Sequence, residues 1–206
     1  MDTLAVIGSA LALSLAAGLS LYGAAFLLGL AVRLEWLRLA PGWEPVAVLA
    51  DPVVLTVAGV LAAIEFLADK IPWLDSAWDA VHTVIRPIGG ALLASRVLGG
   101  LSPEAEVIAF LLLGGATFAT HAAKASVRLV VNASPEPFSN VLVSLFENSL
   151  VVGAVWLAVS HPFLALGAGL LALALAVAAT AWLFGRTVRA LCGLWGRVAW
   201  RAPTTR

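Results

Sequence analysis

Long apolar runs alternate with short polar stretches along most of the chain, and this pattern predicts six membrane-spanning helices. Each run approaches or exceeds the roughly 20 residues that a helix needs to cross the hydrocarbon core of a bilayer. Prolines, glycines and charged residues separate the runs, as is typical of loops. The predicted spans cover residues 4–32, 52–68, 78–98, 107–132, 141–160 and 163–184.

The polar stretches between and after the spans carry further predictions. Residues 69–79 are charged and aromatic, and Pro72 is expected to break the helix there, so we predict an interfacial or re-entrant turn. Small residues in the first span, among them Gly18 and Ser20, allow close helix contact or a kink. Residues 186–201 alternate arginine with tryptophan and leucine, which predicts an amphipathic helix on the membrane surface.

Composition agrees with a membrane protein. Of the 206 residues, 62% are hydrophobic and only 12% are charged, whereas soluble domains are about half apolar and a quarter charged. The net charge is zero, which argues against nucleic acid as a partner, and the single cysteine excludes an internal disulfide. We therefore predict an all-α integral membrane protein with one membrane domain over residues 1–185 and a cytoplasmic amphipathic tail over residues 186–206.

Arginine placement predicts the orientation. Six spans leave both termini on one side, and positively charged loops favour the cytoplasm. Five arginines lie in the tail, whereas the loops predicted on the opposite side hold three. Both termini are therefore expected in the cytoplasm.

The two halves of the chain, residues 4–98 and 104–184, are similar in outline. Each begins with a long span, continues with a span carrying one glutamate, Glu65 or Glu147, and ends with a span rich in glycine and alanine. Three spans in each half would give the halves opposite topology, and inverted repeats of this kind are typical of secondary transporters. The alternative is that membrane helices resemble one another in composition.

Ionisable residues occur inside the predicted spans and at their ends. A charge at the centre of a membrane-spanning helix costs about 3 kcal/mol or more. Two sets share a helix face at positions i, i+4, i+7 and i+11. The sets are Asp75, Asp79, His82 and Arg86, followed by Thr117, His121, Lys124 and Arg128.

We interpret these residues as the polar lining of a transporter or channel for a small solute or ion, with proton coupling as one option. Glu65 and Glu147 are the expected buried titrating or cation-facing groups. The predicted pathway comprises Glu65, Asp69, Asp79, Arg86, His121, Lys124, Arg128, Glu147 and Asn148.

Other interpretations of the same residues stay open. Carboxylates and imidazole suit divalent metals, and the candidate ligands are Glu65, Asp69, His82 and Glu147. Lys124 and Arg128 could instead receive an anion. A purely structural network would pair four acids with four bases: Glu65, Asp69, Asp75 and Asp79 with Lys70, Arg86, Lys124 and Arg128.

Sequence motifs of catalysis are missing. The chain has no H-x-x-x-H or H-E-x-x-H spacing, no G-x-S-x-G turn and no Walker or dinucleotide glycine pattern. We therefore predict no catalytic residue and no cofactor, with a bound cation as an option. The alternatives to transport are a membrane-embedded metal-dependent or lipid-handling protein, or a structural membrane subunit. The small size of the chain suggests that it forms a homodimer. The expected partners are the lipid bilayer and a small solute or ion.

Four motifs carry a resemblance to a known family. They are E-F-L-A-D-K-I-P-W-L-D-S-A-W-D (65–79), I-R-P-I-G-G-A (85–91), H-A-A-K-A-S-V-R-L-V-V-N-A-S-P-E-P-F-S-N (121–140) and S-L-F-E-N (144–148). Together they resemble the bacterial membrane family called domain of unknown function 4126. The resemblance implies a small integral protein of the bacterial inner membrane and implies no activity. The family often has an acidic residue where this chain has Asn148, a departure that counts against a mechanism needing a second carboxylate there.

Overall fold

The computed structural model describes residues 2–37, 43–99, 101–132 and 137–199, and all regular structure in these ranges is helical. This confirms the all-α prediction. The α-helices are α1 (Thr3–Leu19), α2 (Leu21–Arg33), α3 (Pro52–Ala68), α4 (Pro72–Leu98), α5 (Pro103–Asn132), α6 (Pro137–Ser160) and α7 (Pro162–Ala199), and a 3₁₀ helix covers Glu44–Ala50.

Proline begins five of the described helices, because its fixed φ suits the first helical position and its missing N–H is not needed there. This explains a wrong prediction. Pro72 does not open an interfacial turn over residues 69–79. It begins α4, so the connection between α3 and α4 is only residues 69–71. Asp75 and Asp79 therefore lie on the helix that also carries Arg86.

Helix α1 is the centre of the bundle and packs against α4, α5, α6 and α7. Glycine permits two of these close approaches. A Cβ on Gly8 would lie 2.2 Å from the carbonyl oxygen of Pro162, and one on Gly18 would lie 2.6 Å from that of Thr117. Larger residues at either position would force helices apart.

The first predicted span, residues 4–32, is not one continuous helix. It divides into α1 and α2 at Ser20, whose backbone is extended (φ −151°, ψ 101°). The Ser20 hydroxyl accepts a hydrogen bond from the Gly23 N–H and so caps the start of α2. Helix α2 then packs mainly on α3 and on the 3₁₀ helix rather than in the centre of the bundle.

Several helices are suited to a membrane. Pro103–Asn132, Phe138–Ser160 and Pro162–Arg186 are each long and apolar enough to cross one, and the 3₁₀ helix with α3 forms a fourth candidate, bent by 67°. Large apolar side chains also face outward along α3, α4, α6 and α7. These features indicate a membrane protein with three or four candidate spans, plus the shorter apolar helices α1 and α2.

The predicted separate tail helix is wrong in one respect. Helix α7 continues without a break through residue 186 to Ala199, since no proline interrupts residues 163–199. The predicted domain boundary at residue 186 thus falls inside α7. Residues 200–206, the end of the predicted tail, lie outside the described part of the chain.

Candidate functional site

Two groups of buried charged side chains lie between α3, α4, α5 and α6. The Arg86 cluster consists of Glu65, Asp79, Arg86 and His121, and the Arg128 cluster consists of Asp69, Lys124, Arg128 and Glu147. Each of these eight residues is at most 7% exposed. The predicted pathway residues other than Asn148 therefore fall into two contiguous clusters.

The helical spacing explains how α4 and α5 bring these residues together. Both predicted faces point into the bundle, and all eight of their residues are buried. The two helices pack closely along their length. The close contact is helped by Gly90, where a Cβ would lie 2.4 Å from the hydroxyl of Thr117.

In the Arg86 cluster, one guanidinium holds two carboxylates. Arg86 Nη2 donates to Glu65 Oε1 at 2.5 Å, and Nη1 donates to Asp79 Oδ1 at 3.0 Å. Nη1 also lies 2.7 Å from His121 Nδ1, which must then be the acceptor nitrogen. His121 consequently carries its proton on Nε2, which lies 3.2 Å from the Asp79 carbonyl oxygen.

The break between α1 and α2 lies against both clusters. The Ser20 hydroxyl donates to Glu65 Oε2 at 2.5 Å, and Lys124 Nζ donates to the Leu19 carbonyl oxygen at 3.1 Å. Backbone groups freed at a break inside the bundle need such partners because water is scarce there. An acid on α3 and a base on α5 are thus attached to the same discontinuity.

In the Arg128 cluster, Arg128 joins three segments. Its guanidinium donates to Glu147 Oε2 at 2.7 Å on α6, to Asn140 Oδ1 at 2.5 Å and to the Asp69 carbonyl oxygen at 3.0 Å. Lys124 Nζ donates to Asp69 Oδ1 at 3.1 Å. Such charge-assisted bonds are the strongest hydrogen bonds in proteins, so this cluster ties the end of α3 to α5 and α6.

The buried charges do not balance. Among the described residues, five carboxylates are buried (Glu65, Asp69, Asp75, Asp79 and Glu147), but only three basic side chains are (Arg86, Lys124 and Arg128). The predicted balance of four acids and four bases is therefore wrong. Lys70 is only half-buried and donates to the Ser144 hydroxyl and the Phe66 carbonyl oxygen. Desolvation lowers the pKa of Lys70 from its usual value, opposed by the nearby Asp69 carboxylate.

A family model described as Domain of unknown function (DUF4126) matches residues 7–182, most of the chain. The chain belongs to the DUF4126 family. This confirms the resemblance inferred from the four sequence motifs. No curated protein and no solved structure matches the chain.

Asn148, the remaining predicted pathway residue, is turned toward its own helix. Its amide nitrogen donates to the Ser144 carbonyl oxygen at 2.8 Å. The structure thus places Glu147 in the Arg128 cluster and Asn148 one position away along α6.

The four candidate metal ligands are spread over different parts of the site. Glu65 lies in the Arg86 cluster, while Asp69 and Glu147 lie in the Arg128 cluster. His82 instead contacts the Trp78 carbonyl oxygen through Nδ1 at 2.8 Å and the Tyr22 hydroxyl through Nε2 at 3.1 Å. In the described part of the chain, no group of three or more histidine, cysteine or acidic side chains is arranged to hold a metal ion.

Sequence reasoning missed several members of the candidate site. Asn140 bridges the Arg128 side chain and, through its amide nitrogen, the Asp69 carbonyl oxygen at 3.1 Å. Tyr22 and Asn132 also contact buried ionisable groups. Their polarity inside long apolar runs was the available signal, but it did not indicate their partners.

An apolar cavity of about 530 Å³ lies between α1, α6 and α7. Leu15, Leu19, Gly153 and Leu157 are among its lining residues. Because Leu19 also supplies the carbonyl oxygen that binds Lys124, the cavity reaches the residue at the helix break.

Proposed function

We propose that this protein transports a small solute or ion across the bacterial inner membrane, as a carrier or channel coupled to protons. The helix break at Ser20, bonded on its two sides to Glu65 and Lys124, is the observation that carries this proposal. Secondary transporters bind their substrates at discontinuous helices near the middle of the bilayer, where freed backbone groups and buried charges meet.

Proton coupling is supported by the excess, within the described ranges, of two buried carboxylates over buried bases. Uncompensated charge is strongly unfavourable inside a protein, so the excess has to be neutralised by protons or by a bound cation. Buried carboxylates that bind and release a proton or cation in this way are suited to coupling proton movement to solute transport. Glu65 and Glu147, one in each cluster, are the proposed exchanging groups.

The proposed membrane topology has six spans. This count of six requires that α1 and α2 together form one broken span. It also requires that α4, most of whose buried charges are paired, crosses the membrane. The first inverted half is then residues 4–98 and the second is residues 104–184, with both termini in the cytoplasm. The halves differ in detail, since Glu65 pairs with the helix that follows it and Glu147 with the helix that precedes it. A homodimer is the proposed assembly.

Proton flux into proteoliposomes tests the proposal. An entrapped pH-sensitive dye reports flux driven by an imposed pH gradient, with valinomycin and potassium to clamp the voltage. Glu65→Gln and Glu147→Gln keep side-chain shape but cannot exchange a proton, so we expect each to lower the flux at least tenfold. Glu104→Gln is the control, because Glu104 is exposed at the start of α5.

Folding has to be separated from transport in this experiment. Each variant should elute as a single species in detergent and keep a melting temperature close to that of the unmodified protein. If both glutamine variants fold and carry protons at the unmodified rate, the transport proposal fails. The clusters would then be a structural network that holds the helices together.

A lipid-handling protein is the second candidate, and the apolar cavity between α1, α6 and α7 favours it. Its volume lies within the range of ligand sites, about 300–1,000 Å³. An apolar cavity as small as about 150 Å³ already binds hydrocarbon rather than water. A lipid chain is the corresponding ligand for a cavity between membrane helices.

A further inference from the structure

Asp75 on α4 differs from the other four buried carboxylates. Each of the others lies within about 3 Å of a basic side chain. Asp75 is fully buried, yet the nearest basic nitrogen, Arg128 Nη1, lies 4.0 Å from its Oδ2. Its hydrogen bond comes from a neutral donor, the amide nitrogen of Asn132, at 2.7 Å.

Two oxygens at this position have no hydrogen-bond partner in the described part of the chain. Neither Asp75 Oδ1 nor Asn132 Oδ1 accepts a hydrogen bond from the described residues, and both atoms are buried. Buried polar atoms are nearly always hydrogen-bonded, so two adjacent residues with unmatched acceptors indicate a missing donor or cation.

The neighbouring charged groups do not supply it. Arg128 on α5 is already committed to Glu147 and to other acceptors of the Arg128 cluster. The remaining charged groups that influence Asp75 are acidic: Asp69 at the end of α3 and Asp79 one turn along α4. Asp75 therefore has one base near it, Arg128 at 4.0 Å, and two acidic neighbours that make its surroundings more negative.

We propose that Asp75 and Asn132 form a binding site for one small positive charge, carried by a proton or by a monovalent cation such as Na⁺. A proton taken from water forms an O–H bond at Asp75 Oδ1 and leaves the carboxyl group neutral. A cation instead takes the carboxylate and amide oxygens as ligands, which are the oxygen donors that hard cations prefer. This inference rests on the proposed transport function and adds Asp75 to Glu65 and Glu147 as a site where a coupling ion binds.

Loss of the bound charge has a structural consequence. Asp75 then becomes an anion 4.0 Å from Arg128 and competes with Glu147 and Asn140 for the guanidinium. Because Glu147 and Asn140 lie on α6, the charge state of Asp75 is linked to how firmly α6 is held against α5. The site thus connects ion binding to a helix contact.

Infrared difference spectroscopy of the purified protein at low and high pH tests the proton form. A neutral buried carboxylic acid has a C=O stretch separate from that of a carboxylate. We expect this band to appear at low pH, to disappear at high pH and to be lost in Asp75→Asn. Glu104→Gln is the control and should keep the band.

Sodium distinguishes the two carriers of the charge. If a cation occupies the site, no titrating band is lost in Asp75→Asn, and Na⁺ raises the melting temperature of the protein relative to N-methylglucamine, an effect that Asp75→Asn abolishes. Asn132→Ala is the second variant, in case Asp75→Asn does not fold. It should shift the frequency of the band or weaken the effect of Na⁺.

The inference is overturned if neither a titrating band nor a sodium effect depends on Asp75 or Asn132. Its failure is distinguishable from failure of the transport proposal, because neither measurement involves flux. A band assigned to Asp75 in a protein that carries no protons would retain the site and refute transport. Proton flux that depends on Glu65, without any signal from Asp75, would support transport and refute the site at Asp75.

Discussion

Replacing Arg86 with methionine should destabilise the protein more than any exposed arginine change. Arg86 is fully buried and neutralises both Glu65 and Asp79. Methionine replaces the apolar stem of arginine but carries no charge, so Arg86→Met leaves two carboxylates without their base. Removing one partner of a buried ion pair typically costs about 3–5 kcal/mol. At roughly 2–4 °C per kcal/mol, the melting temperature should fall by about 6–20 °C.

Thermal unfolding in detergent measures this effect, and Arg96→Met is the matched control. Arg96 lies on the same helix as Arg86 but is exposed, so its replacement should change the melting temperature by no more than a few degrees. Glu65→Gln in the Arg86→Met background should recover part of the loss, because it removes one of the two unpaired charges. The double-mutant cycle gives the coupling between the two residues.

A melting temperature for Arg86→Met equal to that of Arg96→Met would refute the reasoning. So would a Glu65→Gln change that is equally harmful with and without Arg86. Either result would mean that the buried pair contributes no net stability in the folded protein.

Glycine substitutions provide the remaining predictions. Gly8→Ala should destabilise the protein by about 1–3 kcal/mol or more, since the added Cβ would lie 2.2 Å from the backbone oxygen of Pro162. Gly115→Ala is the control and should be tolerated, because no atom lies within 4 Å of a Cβ at that position. Thermal melts of both variants check this, and equal melting temperatures would contradict it. Gly153→Phe should fill the apolar cavity and displace a bound lipid, while Gly167→Phe should not, because Gly167 has open space but does not line the cavity. Native mass spectrometry of both variants counts the lipid, and equal retention would count against lipid binding there.

The unequal number of buried acids and bases has a bearing on how the two clusters work. A fully paired network would have little reason to exchange ions, because each charge already has its partner. Here one guanidinium serves Glu65 and Asp79, and another serves Glu147 while lying 4.0 Å from Asp75. When two carboxylates share one guanidinium, negative charge remains available for a proton or cation. This is the physical basis of both the transport proposal and the proposed site at Asp75.

Much of the fold was predictable from sequence because it depends on local properties. Apolar runs of membrane length predicted the helical class, and the predicted ends of most spans lie within a few residues of the observed helices. The two sets of polar residues at helical spacing predicted the buried faces of α4 and α5. Errors arose at Pro72 and at residue 186, where the local signal was compatible with either a break or a continuous helix.

The sequence by itself determined which residues are polar inside apolar segments and which of them share a helix face, since both follow from composition and the 3.6-residue period. Only the tertiary structure decided that Arg86 binds Glu65 and Asp79, that Ser20 interrupts the first span beside Glu65, and that Asp75 lacks a close base. The physical reason is that ion pairing depends on distances of a few ångströms between side chains far apart in the chain. Helix spacing fixes the direction of each side chain, but packing around α1 fixes which charges meet.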